Sequence, residues 1–119
     1  MAYSHSNVFA RIIKKEIPCR TVAETPYSLA FYDAHPNAPV HVLVIPKGPY
    51  ESASVFFSQA PSHEILDFCT LMGQIPEQLG LKKEGYRLIS NEGAHAGQEV
   101  PHFHIHILGG KELGPLNGL

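Results

Sequence analysis

Pro101-His102-Phe103-His104-Ile105-His106-Ile107-Leu108 is the stretch that decides how this 119-residue chain reads. Side chains alternate across a strand. A strand over His102–Leu108 therefore puts His102, His104 and His106 on one face, with Phe103, Ile105 and Ile107 on the other. Same-face neighbours then stand about 6.5–7 Å apart. The apolar set fills a core while three imidazoles project together. Histidine changes charge near neutral pH and is the commonest metal ligand, and the chain carries eight.

Spacing alone leaves three chemistries open. The imidazoles can sit idle on a polar sheet face. They can supply two or three ligands to zinc, at about 2.0–2.1 Å, although no local Asp, Glu or Cys obviously completes a closed site and Glu99 lies just outside the strand. A neutral imidazole can also attack phosphorus while its neighbours orient it. The loop before the strand, Asn91-Glu92-Gly93-Ala94-His95-Ala96-Gly97-Gln98, can turn backbone N–H groups toward a phosphate, as anion-binding nests do.

Working outward, the chain carries turn signals at close intervals and no repeat or low-complexity linker, so residues 1–119 read as one domain. Ser6-Asn7 looks like a cap ahead of a helix through Val8, Phe9, Ile12 and Ile13, closed by Pro18. Strands are expected at Thr21–Glu24 and Ser28–Tyr32, the second ended by Asp33. Val40-His41-Val42-Leu43-Val44-Ile45 is β-branched and apolar, the pattern of a strand buried on both faces. A helix capped by Ser58 or Ser62 should carry Ile65, Leu66, Phe68, Cys69, Met72, Ile75 and Leu79 on a core stripe, kinked or ended early at Pro76. Tyr86–Ser90 reads as a further strand. The fold class is α+β: an antiparallel sheet of about five strands with two helices.

Composition narrows the function. At 44% hydrophobic residues the chain can build a core, and 17% charged residues argue against a disordered tail. Nine Lys and Arg against eleven Asp and Glu leave a formal charge of −2, too little positive field to hold nucleic acid. Cys19 and Cys69 form no CxxC pair and read as buried thiols, which suits a reducing cytoplasm. Neither a secretory leader pattern nor an apolar run of about 20 residues is visible, so a membrane role is not expected. His5, His35, His63 and His95 read as surface or loop residues.

His102-Phe103-His104-Ile105-His106-Ile107-Leu108 resembles the defining signature of the histidine-triad (HIT) family. The likeness covers nearly the whole chain. Phe9–Pro18, Phe31–Pro39, His41–Lys47, Asn91-Glu92-Gly93, Gly97–Val100 and Leu108-Gly109-Gly110 resemble the Hint-like branch in order and spacing, and Glu99-Val100-Pro101 resembles its bacterial members.

This resemblance implies a HIT-like fold, a homodimer whose sheets join, and binding of purine nucleoside monophosphates. It also implies hydrolysis of adenosine 5′-monophosphoramidates to AMP and an amine, without metal or cofactor. His104 matches the nucleophile, His102 and His106 its companions, and His41 the upstream histidine that assists them. Asp33 matches the ribose-hydroxyl acceptor. Asn91, Gly97, Gln98 and Glu99 match positions around the phosphate and nucleoside. Val8, Phe9, Ile12, Phe31, Tyr32, Ala34 and Leu43 correspond to the base-pocket lining. Glu99 stands where a serine can approach the phosphate, so its carboxylate would repel the phosphate unless it turns outward or offers only its backbone N–H. The tail Lys111–Leu119 lacks tryptophan, which bears on leaving-group preference. Zinc-dependent hydrolysis and a non-catalytic nucleotide-binding module are the alternative readings.

Overall fold

The computed structural model describes residues 3–116. Met1, Ala2 and 117–119, the outer ends of the two terminal segments, lie outside the described residues. In order come α1 (Val8–Ile13), β1 (Thr21–Glu24), β2 (Ser28–Tyr32), β3 (Val40–Pro46), α2 (Ala53–Gln59), α3 (Ser62–Gln78), β4 (Tyr86–Ile89), a 3₁₀ turn (Ala94–Ala96) and β5 (Ile105–Gly109). All strand pairs are antiparallel, in the order β1-β2-β3-β5-β4. The fold is α+β, as expected. Among the described residues it holds three α-helices rather than two.

Alternation along β3 and β5 gives the sheet two different faces. Val42, Val44, Ile105 and Ile107 pack with Phe56, Phe68, Leu71, Ile75 and Phe103 beneath α2 and α3. Leu43 and Ile45 pack with Leu29, Phe31 and Phe9 beneath α1. The first core is built on aromatic rings, with Phe103 stacked on Phe56 at 5.1 Å and tilted against Phe68 at 5.1 Å. Burying each such ring stabilises the fold by about 1.5–3 kcal/mol.

The element ends follow local chemistry. Asn7 caps α1, its side-chain oxygen accepting from the Ala10 N–H at 2.9 Å. The helix stops at Ile13, before Pro18, because Lys15 adopts φ 64°. β2 ends at Tyr32, and the Asp33 N–H goes to the His41 carbonyl at 3.0 Å. β4 stops at Ile89, one residue short of the expected strand.

Pro76 does not end α3, which runs on to Gln78. It lies near the C-terminal end, where its missing N–H forfeits a single ladder bond, and its ring is fully buried. Pro61 is the N-cap residue, with neither serine capping by its side chain. Leu66 was expected on the core stripe but is 69% exposed, because α3 covers the sheet along a narrower face. Cys19 and Cys69 are free and half-buried rather than buried.

The most consequential correction is at β5, which begins at Ile105 rather than His102. Its ladder with β3 runs from Val40↔Gly109 to Val44↔Ile105. β3 then ends on Pro46, which has no N–H to donate. The Phe103 N–H turns instead to the Tyr50 carbonyl at 2.7 Å. His102 and His104 thus belong to an irregular segment leading into the strand.

Candidate active site

Three of the four expected catalytic histidines converge on the α1 side of the sheet. His106 lies opposite Leu43 and His41 opposite Leu108, so the two are diagonal neighbours on one face. Their rings meet, with His41 Nε2 2.9 Å from His106 Nδ1. His104 and His106 have ring centroids 5.1 Å apart at a steep angle, and Phe9 sets its ring edge against His104 at 5.0 Å. His102 does not project with them. It is fully buried, its Nε2 facing the Pro46 carbonyl at 2.8 Å.

The hydrogen bonds decide where each proton sits, because their far ends are backbone groups with a fixed role. The Asn37 N–H points at His41 Nδ1 at 3.0 Å, so that nitrogen must present a lone pair and Nε2 carries the hydrogen. His41 Nε2–H therefore donates to His106 Nδ1, which leaves the His106 hydrogen on Nε2. His104 Nδ1 faces the His102 carbonyl at 2.6 Å and must donate to it, so His104 Nε2 keeps a free lone pair. A nucleophilic nitrogen and a ring N–H thus stand side by side.

Burial keeps these rings neutral. Desolvation, with the charges of His104 and His41 adding to it, holds His106 down to about 4 despite Asp33. His104 is also lowered by burial, while the His102 carbonyl, Asp33 and Glu99 work the other way. His41 is lowered by burial against the pull of Asp33. The groups that oppose burial at His104 are those that would favour positive charge on it once it forms a bond.

The expected nucleotide residues divide into those the structure gathers here and those it sets apart. Asp33 is half-buried, with Oδ2 3.4 Å from His41 Nε2 and Oδ1 accepting from the His35 N–H at 2.8 Å. Phe9, Phe31 and Leu43 are core residues, with half-buried Ile12 against them. Tyr32 is half-buried with Arg20 stacked 4.7 Å from its ring centre. Val8 and Ala34 are exposed, and Asn91 is half-buried.

Gln98 turns its side chain into its own loop. It donates to the Glu51 carbonyl at 2.7 Å and accepts from the Gly93 N–H at 3.1 Å. Gly97 holds φ 73°, a left-handed conformation that favours glycine. Glu99 is exposed, yet its charge still reaches His104. The four remaining histidines, His5, His35, His63 and His95, are exposed as expected.

A metal reading meets a specific obstacle. Among the described residues, Asp33, His41 and His106 bring ligand atoms within 4.8 Å of one another. The facing nitrogen of His41 already carries a hydrogen, because Nδ1 accepts from Asn37. A metal at Nε2 would require the other tautomer and leave two N–H groups pointing at each other. The residues therefore fit a hydrogen-bonded relay better than a zinc site. A cavity lined by Ile12, Ile13, Lys15, Cys19, Leu29 and Lys47 shares only Ile12 with the expected nucleotide residues and includes none of the histidines.

With that geometry in place, the HIT domain model matches residues 14–113. The chain belongs to the HIT family. It is 47% identical to an uncharacterized 13.2 kDa HIT-like protein of Azospirillum brasilense over 96% of this chain and 93% of that one. It is 40% identical to the purine nucleoside phosphoramidase of Escherichia coli, over 95% of this chain and 94% of that one. A HIT family hydrolase from Clostridium thermocellum superimposes with TM-score 0.86 at 38% identity, covering 96% and 98% of the two chains. Among the described residues of this HIT chain no helix is long and apolar enough to cross a membrane.

Sequence reasoning missed three contributors to the HIT site: Asn37 through its N–H, Pro46 through its carbonyl, and Tyr3, whose hydroxyl meets His102 Nδ1. Two act through backbone atoms rather than through their side chains. Tyr3 lies 99 positions from its partner. No local pattern could have flagged them.

Proposed function

We propose that this chain is a single-domain HIT hydrolase that cleaves purine nucleoside 5′-monophosphoramidates, such as adenosine 5′-monophosphoramidate, to AMP and an amine. The observation that carries this reading is the free lone pair of His104 Nε2, created by the Nδ1–H bond to the His102 carbonyl. The Escherichia coli phosphoramidase at 40% identity supports the substrate class.

In this mechanism His104 Nε2 attacks the α-phosphorus and the P–N bond breaks. The attacking imidazole becomes cationic, and the His102 carbonyl at 2.6 Å stabilises it through Nδ1–H. His106 cannot take a second proton while His41 Nε2–H occupies its Nδ1. It acts as a hydrogen-bond donor, its Nε2–H meeting a phosphoryl oxygen as charge gathers there. The amine departs protonated from solvent, and water then releases AMP from His104.

Asp33 accepts from the ribose hydroxyls, and Phe9, Ile12, Phe31 and Leu43 form the floor beneath the base, with Val8, Tyr32 and Ala34 at its rim. Asn91, Gly97 and the backbone around Gln98 and Glu99 border the phosphate. No metal or cofactor takes part. The protein works in the cytoplasm as a homodimer. The unpaired edge of β4, with Tyr86 and Leu88 about two-fifths exposed, supports joining of two sheets there.

Turnover of adenosine 5′-monophosphoramidate by the wild type and by His104→Ala tests the reading. The variant is expected to lose roughly 10³-fold or more in kcat. Activity in the variant at the wild-type rate would refute the covalent route. AMP binding without turnover in the wild type would point to a nucleotide-binding module instead.

A further inference from the structure

The hydrogen bonds that orient His104 continue past His102 to a side chain outside the expected site. His102 is fully buried and donates from Nε2 to the Pro46 carbonyl, so its Nδ1 holds a lone pair. The hydroxyl of Tyr3 donates to that lone pair at 2.5 Å. The Tyr3 ring stands edge-on to His102 at 5.6 Å, with His5 against its other side at 4.9 Å. Phe9 closes the remaining side of His102 at 6.2 Å. The His102 ring is therefore held at both nitrogens and wedged between aromatic groups.

This matters because strand pairing does not hold His102. The segment before Ile105 lies outside the ladder; among the described residues its backbone donors are the His102 N–H, to the Val100 carbonyl, and the Phe103 N–H, to the Tyr50 carbonyl. The His102 carbonyl, which receives the His104 Nδ1–H, shares a peptide plane with the Phe103 N–H that the Tyr50 carbonyl holds at 2.7 Å, and the seating of the His102 side chain is the second restraint on it.

We propose that Tyr3 is a positioning residue for the phosphoramidate reaction: its hydroxyl clamps the buried His102 ring, and the clamped residue presents the carbonyl that aims His104 Nε2 at phosphorus. The proposal rests on the reading of His104 as the nucleophile. Without the hydroxyl, His102 Nδ1 becomes a buried acceptor with no donor, which favours ring movement or entry of water. Misplacing a reacting atom by about 1 Å can cost about 100-fold in rate, so a modest tilt of the carbonyl is enough to register. Tyr3 touches no part of the reacting groups. Its effect should therefore fall on kcat rather than on nucleotide binding.

Tyr3→Phe in the full chain keeps the ring, the edge contacts and the volume while removing one oxygen. The expected result is a fall of about tenfold in kcat for adenosine 5′-monophosphoramidate, with KM within about twofold of wild type. In ¹⁵N NMR the His102 Nδ1 signal should shift in the variant. The His102 ring should also titrate at higher pH, because the donor that favoured its neutral form is gone. His104, neutral beside it, should keep its hydrogen on Nδ1. An unchanged kcat, or an unchanged His102 nitrogen signal, overturns the proposal. A wild-type chain that fails to cleave the substrate would defeat the phosphoramidase reading, whereas an active wild type with an insensitive Tyr3→Phe variant defeats the clamp alone.

Discussion

His41 Nε2 lies 2.9 Å from His106 Nδ1 although 65 positions separate them, and this one contact sets the proton on His106. It exists because β3 and β5 pair in a register that makes the two residues diagonal neighbours on one face. The Asn37 N–H behind His41 fixes its direction. Removing the donor should free His106 to adopt either tautomer. His41→Ala is expected to lower kcat by roughly 10²-fold, the scale of a lost acid–base or orienting group. His41→Gln, whose amide can still donate, should retain more activity. Equal kcat values for wild type and His41→Ala would show that the contact does not govern His106.

The neutral histidines make stability depend on pH in a defined direction. His102 is held down to about 4, chiefly by burial, with the nearby His104 adding and the Pro46 carbonyl opposing. The unfolded chain takes up a proton on this ring below about pH 6.5, while the folded chain resists until about pH 4. Stability from this group is therefore complete above the unfolded value and declines as pH falls through that window. For His102 alone the loss is about 3 kcal/mol. His106, His104 and His41 are shifted the same way and steepen the decline. Urea midpoints should fall steadily between about pH 6.5 and 4. A flat series would contradict the buried, neutral assignment.

The Gln98 side chain is tied into its own loop. Its amide ties Gly93, Glu51 and Val100 together, fixing residues 93–98 beside the site. Gln98→Ala should raise KM about fivefold or more through a loosened loop, with global stability reduced by no more than about 1 kcal/mol. Steady-state kinetics with a parallel denaturation curve separates the two effects. A stability loss without a KM change would make Gln98 purely architectural.

How much of this was legible in the sequence depended on whether the cause was local. The β-branched apolar run Val40–Ile45, the cap at Asn7 and the stop at Asp33 are local signals, and each corresponds to what the fold contains. α2 escaped notice because its seven residues place one side chain, Phe56, fully in the core, too little for a periodic stripe. The alternation His102–His106 correctly gathers chemistry in one region. It misplaces His102, since the ladder with β3 ends at Val44↔Ile105 and the His102 ring turns instead to the carbonyl of Pro46, 56 positions away. The family likeness pointed to His104, His106, His41 and Asp33 together. The tautomers that give them different tasks rest on backbone atoms of Asn37 and His102, which carry no sequence signal.

The most direct test is to trap the intermediate. Wild-type protein mixed with adenosine 5′-monophosphoramidate, quenched within a turnover by denaturant at mildly alkaline pH and digested, should yield one nucleotidylated peptide with the modification on His104. The label should form at least as fast as kcat and be absent from His104→Ala. Modification of a different residue, or full turnover by the variant, would contradict the account.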